Sequence, residues 1–261
     1  MRVPAAIVLA STLLAGCVGN PQRPSWGAKA TLAPGWVAVG RAAKHAATDP
    51  VTWMPLVTAA ALSVGDSDED LSEWAADHRL FGDDPSRWSD DLRDASYAAY
   101  FVTALAVPGG EGTRDWLSHK ASGLAVGVAT FLADKTVVDA MKEATGRDRP
   151  DDSNDRSFPS GHASQSAVAT RLAAKNLDYC ELTPATRLAT DVGFYGLAIG
   201  TAWARVEAEK HFVTDVLVGY SIGRFLASFM NEAFLEGGTA GVNVTAQALP
   251  GGGAITVSYA P

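Results

Sequence analysis

The chain has 261 residues, 47% of them hydrophobic and 19% charged, with a formal net charge of −8. That length buries one substantial core or at most two small ones. The acidic balance excludes a nucleic-acid binder, which needs a basic face to neutralise backbone phosphates.

Met1-Arg2 makes a short basic start, and Ala5–Ala15 is an apolar stretch ending in small residues. This is the pattern of a secretory signal over residues 1–16. Leu14-Ala15-Gly16-Cys17 resembles the bacterial lipobox, in which the cysteine is lipidated and becomes the new N-terminus. That resemblance makes Cys17 the expected lipidation site and the membrane a partner through its acyl chains, each contributing about 0.8 kcal/mol per buried CH₂. Val18, where Asp tends to mean inner-membrane retention, favours the periplasmic face of the outer membrane. Cys180 is then alone, and no internal disulfide is expected.

Residues 17–34 hold three prolines and two glycines with little apolar periodicity, and read as a tether. From Trp36 the pattern turns helical. Apolar residues recur at three and four positions over Trp36–Ala47, Thr52–Val64, Leu71–His78, Asp91–Ala106, Arg114–Thr145 (with one break), Gly161–Asn176, Pro184–Ala204 and Lys210–Leu235. The expected fold class is all-α, a helical bundle over residues 35–236. The acidic stretches Asp66–Asp70 and Asp83–Asp91 lack the glycine and terminal glutamate of a calcium loop and read as solvated loops. The longest uncharged runs, Pro50–Gly65 and Ala95–Gly110, fall short of the about 20 residues of a spanning helix. Both are expected as core helices of a soluble domain. In residues 237–261, Val242, Val244, Ala246 and Ala248 alternate, Pro250 to Gly253 turn, and Ile255, Val257 and Tyr259 alternate again. That is a β-hairpin signal.

Three separated motifs carry the chemistry: Lys142-x6-Arg149-Pro150, Pro159-Ser160-Gly161-His162, and Arg205-x5-His211-x3-Asp215. A phosphoryl group needs fixed donors around its oxygens, and arginine forks and a lysine point charge supply them. Ser160 is a preferred helix N-cap, Gly161 lets the backbone approach a ligand, and the helix behind them forms an anion site. His211 and Asp215, four apart, would share one helical face, with the carboxylate fixing the imidazole tautomer. Lys142, Arg147, Arg149, Arg156 and Arg205 make a local basic pocket in an acidic protein. His45, His78 and His119 have no such company and read as ordinary surface residues.

These motifs, in this order, resemble those of the type 2 phosphatidic acid phosphatase superfamily, which includes bacterial class A acid phosphatases and vanadium haloperoxidases. The resemblance covers about residues 90–235 and implies a helical bundle with the motifs at the ends of adjacent helices. It implies His211 as the nucleophile that forms a phosphohistidine, Asp215 as its orienting group and His162 as general acid. Lys142, Arg149, Ser160, Gly161 and Arg205 would bind the phosphate. Ala204 stands where the family usually has Ser before the third-motif arginine.

The expected activity is hydrolysis of phosphomonoesters or lipid phosphates on the exported side of a membrane, with no metal or other cofactor. Two alternatives come from other classes: a vanadium-dependent haloperoxidase, and a non-catalytic lipoprotein that binds anionic lipid. Integral relatives take lipid phosphates and soluble ones take small phosphomonoesters, so the leaving group stays open.

Overall fold

The computed structural model describes residues 17–236 and the strands Asn243–Leu249 and Gly252–Ser258. Eight α-helices lie among the described residues: α1 (Trp36–Thr48), α2 (Pro50–Leu62), α3 (Ser67–Asp77), α4 (Pro85–Ala106), α5 (Thr113–Thr145), α6 (Gly161–Asn176), α7 (Pro184–Glu207) and α8 (Val213–Met230). A short π-helical turn, Asn231–Leu235, extends α8. The starts of α2, α4 and α7 share one device. Asp49, Asp84 and Thr183 each cap a helix that has Pro50, Pro85 or Pro184 in its first turn. The side-chain oxygen takes an orphan N–H, and proline fills a position where no N–H is needed. α5 runs unbroken for 33 residues and stops at Gly146, whose φ of 55° a glycine adopts without penalty.

α6 is the central helix. It packs against α4, α5, α7 and α8, and most of its residues are buried Ala, Ser, Val and Thr. A helix buried on all sides must carry small residues if its neighbours are to approach. α8 comes so close that a Cβ on Gly219 would lie 2.4 Å from the Ser160 carbonyl oxygen, and one on Gly223 would lie 2.1 Å from that of Ser164.

The segment expected as a tether is part of the core. Trp26 is 1% exposed and donates its indole N–H to Asn176 Oδ1 at 2.8 Å. Its ring lies where Gly123 leaves room on α5. Strand β1 (Val18–Gly19) pairs antiparallel with β2 (Cys180–Glu181). Beside this pairing Cys17 and Cys180 form a disulfide, with their Cα atoms 5.1 Å apart. The expectations of an unpaired Cys180 and a lipidated Cys17 are therefore corrected: a sulfur bonded to another sulfur cannot also carry a thioether-linked lipid. The lipobox resemblance assigns Cys17 to a lipid and so leaves Cys180 without a partner.

The reading that no segment has the length and apolarity of a membrane span is corrected too. Thr113–Thr145 and Val213–Leu235 both reach them, because such a window tolerates an occasional charge that breaks an uncharged run. The apolar window of the second is 61% buried, as in a core helix, whereas that of the first is only 33% buried. Along α7, Leu188, Val192, Tyr195 and Ile199 make one exposed apolar stripe. The backbone of Asn243–Leu249 (β3) pairs antiparallel with that of Gly252–Ser258 (β4). The secretory signal expected over residues 1–16 lies outside the described residues.

Candidate active site

The C-terminal ends of α5 and α7 and the N-terminal ends of α6 and α8 carry the three motifs. The loop of residues 146–160 joins α5 to α6, and Lys142 holds it: its Nζ donates to the Arg156 carbonyl at 2.6 Å. Burial, and then the Arg149 charge, bring the Lys142 ammonium down to about 8. In this structure Lys142 is thus bonded to backbone, beside the position where the sequence places a phosphate.

Ser160 caps α6, as its residue type suggests, and its N–H donates to the Asp215 carbonyl at 3.0 Å, tying α6 to α8. Among the described residues no protein acceptor takes the N–H groups of Gly161 and His162 at the positive end of the helix dipole. The start of α8 is different, because α3 satisfies it. Val213 N donates to Ser72 Oγ at 3.1 Å, and Thr214 N to Asp68 Oδ1 at 2.9 Å. Of the two helix N-termini, α6 is the one with donors left for an anion.

His211 lies two residues before α8, not on it. The expectation of a shared helical face with Asp215 is corrected, since Phe212 has extended backbone and breaks the helical register. The two side chains still meet, with Nδ1 3.7 Å from Asp215 Oδ2, longer than a hydrogen bond. Asp215 is engaged elsewhere. It accepts from Arg147 Nη1 at 2.8 Å, Ser157 Oγ at 2.5 Å and the Phe212 N–H at 2.9 Å. Burial opposes its charge, but the neighbouring His211, Ser157 and Arg147 hold its carboxyl below the usual range. His211 is 2% exposed, and Nδ1 has no hydrogen-bond partner among the described residues. Burial brings its pKa down to about 4, against the pull of Asp215 and with that of Arg205, so the ring is neutral near pH 7.

Two more donors of the site are buried without partners among the described residues: Nε of Arg149 and Nε of Arg205. Burial and then the Arg149 charge lower the Arg205 guanidinium to about 10, against the pull of Asp90. Arg205 reaches Ser89 Oγ only at 3.4 Å. His162, in the first turn of α6, sets Nε2 2.9 Å from Asp90 Oδ1 and 2.7 Å from Arg93 Nη1. One ring nitrogen cannot serve both. Protonated, it donates to Asp90; unprotonated, it accepts from Arg93. Burial and then Arg205 bring His162 down to about 4, while Asp90 resists.

All the motif residues are thus brought to one end of the bundle. Arg147, Ser157, Asp68, Asp90 and Arg93 join them, unassigned by the motifs. Asp68 and Asp90 fall in the acidic stretches read as solvated loops, and that reading is corrected. Asp68 lies buried in the first turn of α3 and accepts from Arg147 and Thr214, and Asp90 lies inside α4. The missed signal was the start of each helix, with acidic residues in the first turn of α3 and Asp84-Pro85 before α4.

Residues 120–236 match the model of the PAP2 superfamily, a span that holds all three motifs but not Asp68, Asp90 or Arg93. Comparison with curated proteins brings no match. A solved crystal structure, that of the first transmembrane PAP2 type phosphatidylglycerolphosphate phosphatase from Bacillus subtilis, has a similar fold. It aligns with a TM-score of 0.51 at 23% identity, over 69% of this chain and 92% of that one.

Proposed function

We propose, from the match of residues 120–236 to the PAP2 superfamily model, that this chain is a member of that superfamily and a phosphatase acting on a phosphorylated lipid or phosphomonoester. One observation carries the reading. Among the described residues, Arg149 Nε and Arg205 Nε are buried, unpartnered donors of two cations that act on one another's charge. Leaving such groups unpaired costs about 1–3 kcal/mol each, a cost a bound dianion removes.

In the proposed reaction Arg149, Arg205 and the N–H groups opening α6 hold the phosphate oxygens. The neutral His211 ring attacks phosphorus through the nitrogen remote from Asp215. The bond from phosphorus to the leaving oxygen breaks, and that oxygen takes its electron pair and the proton of His162. Asp215, beside Nδ1, stabilises the positive charge that develops on the ring. Water then attacks the phosphohistidine, giving its proton to His162 and releasing inorganic phosphate and neutral His211. Lys142 sets the loop that carries Arg149.

A lipid phosphate is the substrate favoured here. The bundle shows an exposed apolar stripe on α7 and a largely unburied apolar window on α5, which suit contact with a bilayer. The similar fold in a phosphatidylglycerolphosphate phosphatase points the same way. The Cys17–Cys180 disulfide supports an exported location, because such bonds persist in oxidising compartments. The test is phosphate release by purified protein in EDTA, from a short-chain lipid phosphate and from a soluble phosphomonoester. Release from the lipid phosphate, lost in Arg205→Ala, is expected. No release from either substrate, or release only with an added divalent ion, would overturn the reading.

A further inference from the structure

A second concentration of cationic side chains lies away from the catalytic end. Arg171 of α6, Arg187 of α7 and Arg224 of α8 line a cavity of about 90 Å³, with Thr170, Asp191 and Tyr195. Arg171 is ten residues beyond Gly161, which places the cavity about 15 Å along α6 from the phosphate pocket. Its volume is several times the about 10–15 Å³ that one water needs, enough for a tetrahedral oxyanion.

The charges around it do not balance locally. Arg224 is 5% exposed, and its Nε has no hydrogen-bond partner among the described residues. Its Nη2 lies 3.5 Å from Asp49 Oδ2, and Arg171 Nη2 lies 3.8 Å from the same oxygen. One carboxylate thus serves two guanidiniums, and its other oxygen already accepts from the Val51 N–H at the start of α2. Arg187 is better matched, with Asp178 at 2.7 Å and Asp191 at 3.1 Å, but Lys175 and Arg23 share Asp178. The Arg224 guanidinium lies 5.5 Å from the centre of the Tyr195 ring, at the exposed apolar stripe of α7. A purely structural ion-pair cluster would pair each buried guanidinium with its own acceptor. Here Arg224, one of the residues lining the cavity, keeps an unpartnered Nε, and an apolar surface lies alongside.

We propose that this cavity is a second oxyanion site, which takes a phosphate-class group through Arg171, Arg187 and Arg224. The group is either free inorganic phosphate or the head of an anionic amphiphile whose chain lies along Leu188, Val192 and Ile199. The site is separate from the catalytic pocket and does not depend on the reaction proposed there.

Equilibrium dialysis of the full chain against radiolabelled inorganic phosphate tests it. The wild type should bind two phosphates, Arg205→Ala one, and Arg187→Gln or Arg224→Gln one, these last two with phosphomonoester hydrolysis unchanged. Arg187 is partly exposed, so its variant decides the matter if Arg224→Gln fails to fold. A single phosphate in the wild type that Arg205→Ala abolishes would overturn the proposal. So would two phosphates retained in Arg187→Gln, or none bound at all. The source is then read in Arg205→Ala with octylphosphonate, whose phosphorus–carbon bond resists hydrolysis. Binding at least tenfold tighter than inorganic phosphate, with the gain lost in Val192→Asn, identifies a lipid head group. Equal affinity identifies free phosphate.

Discussion

His162 stands between a carboxylate and a guanidinium that want opposite protonation states of the same nitrogen. With Asp90 at 2.9 Å and Arg93 at 2.7 Å, its proton is decided by the charge nearby. In the free protein, burial and Arg205 bring the ring down to about 4, so it is neutral near pH 7. A phosphate dianion would offset Arg205 and Arg93 and return the proton that the leaving oxygen needs. Because kcat/KM reports the free enzyme and kcat the complex, the alkaline limb of kcat should lie at higher pH than that of kcat/KM. Coincident limbs in the two pH profiles would contradict this. Asp90 raises the His162 pKa, so Asp90→Asn should move the alkaline limb of kcat to lower pH, while Arg93→Gln moves it to higher pH. The motif residues were legible because their spacing is local. Asp90 and Arg93 were not, since they reach His162 from 72 and 69 residues away and no pattern along the chain encodes that contact.

At the scale of elements, helix caps and apolar periodicity were readable, and α6 begins and ends where the sequence places it. The start of α8 was not. A run of apolar residues reaches back to Phe212, but its extended backbone puts His211 in the preceding loop. What sets that start is tertiary: Asp68 and Ser72 of α3 take the first free N–H groups. The close contact of α6 and α8 was also hidden, because a glycine in a helix does not announce what it faces. Gly223→Ala would drive a Cβ to 2.1 Å from the Ser164 carbonyl oxygen, where only a shift of one helix relieves the clash. Overpacking of this kind costs about 1–3 kcal/mol. The urea midpoint should fall accordingly, while Gly196→Ala, which meets nothing within 4 Å, should leave it unchanged or slightly raised. A Gly223→Ala protein as stable as the wild type would contradict the packing described.

Over the whole molecule, the buried Trp26 and the Cys17–Cys180 bond make the N-terminal segment part of the fold. The bond joins residues 163 apart, and closing so long a loop stabilises by about 5 kcal/mol on the chain-entropy estimate. The purified protein should therefore take up no maleimide until it is reduced, and then two per chain, with a lower melting temperature. One maleimide without reduction, together with metabolic labelling by palmitate, would restore the lipobox reading of Cys17. The all-helical class followed from periodicity alone. The fate of Cys17 did not, because the lipobox pattern and a disulfide partner compete for one sulfur, and only the folded chain brings Cys180 to it.

The central claim is that His211 becomes covalently phosphorylated in turnover. It is tested most directly by rapid alkaline quench with phosphorus-labelled substrate, followed by peptide mapping. The label should appear on the peptide carrying His211 within the first turnover, survive alkali and be lost in mild acid. His211→Ala should show neither label nor turnover while keeping its helical circular dichroism. Turnover in His211→Ala, or a wild type that hydrolyses substrate with chemistry limiting and never carries label, would contradict it.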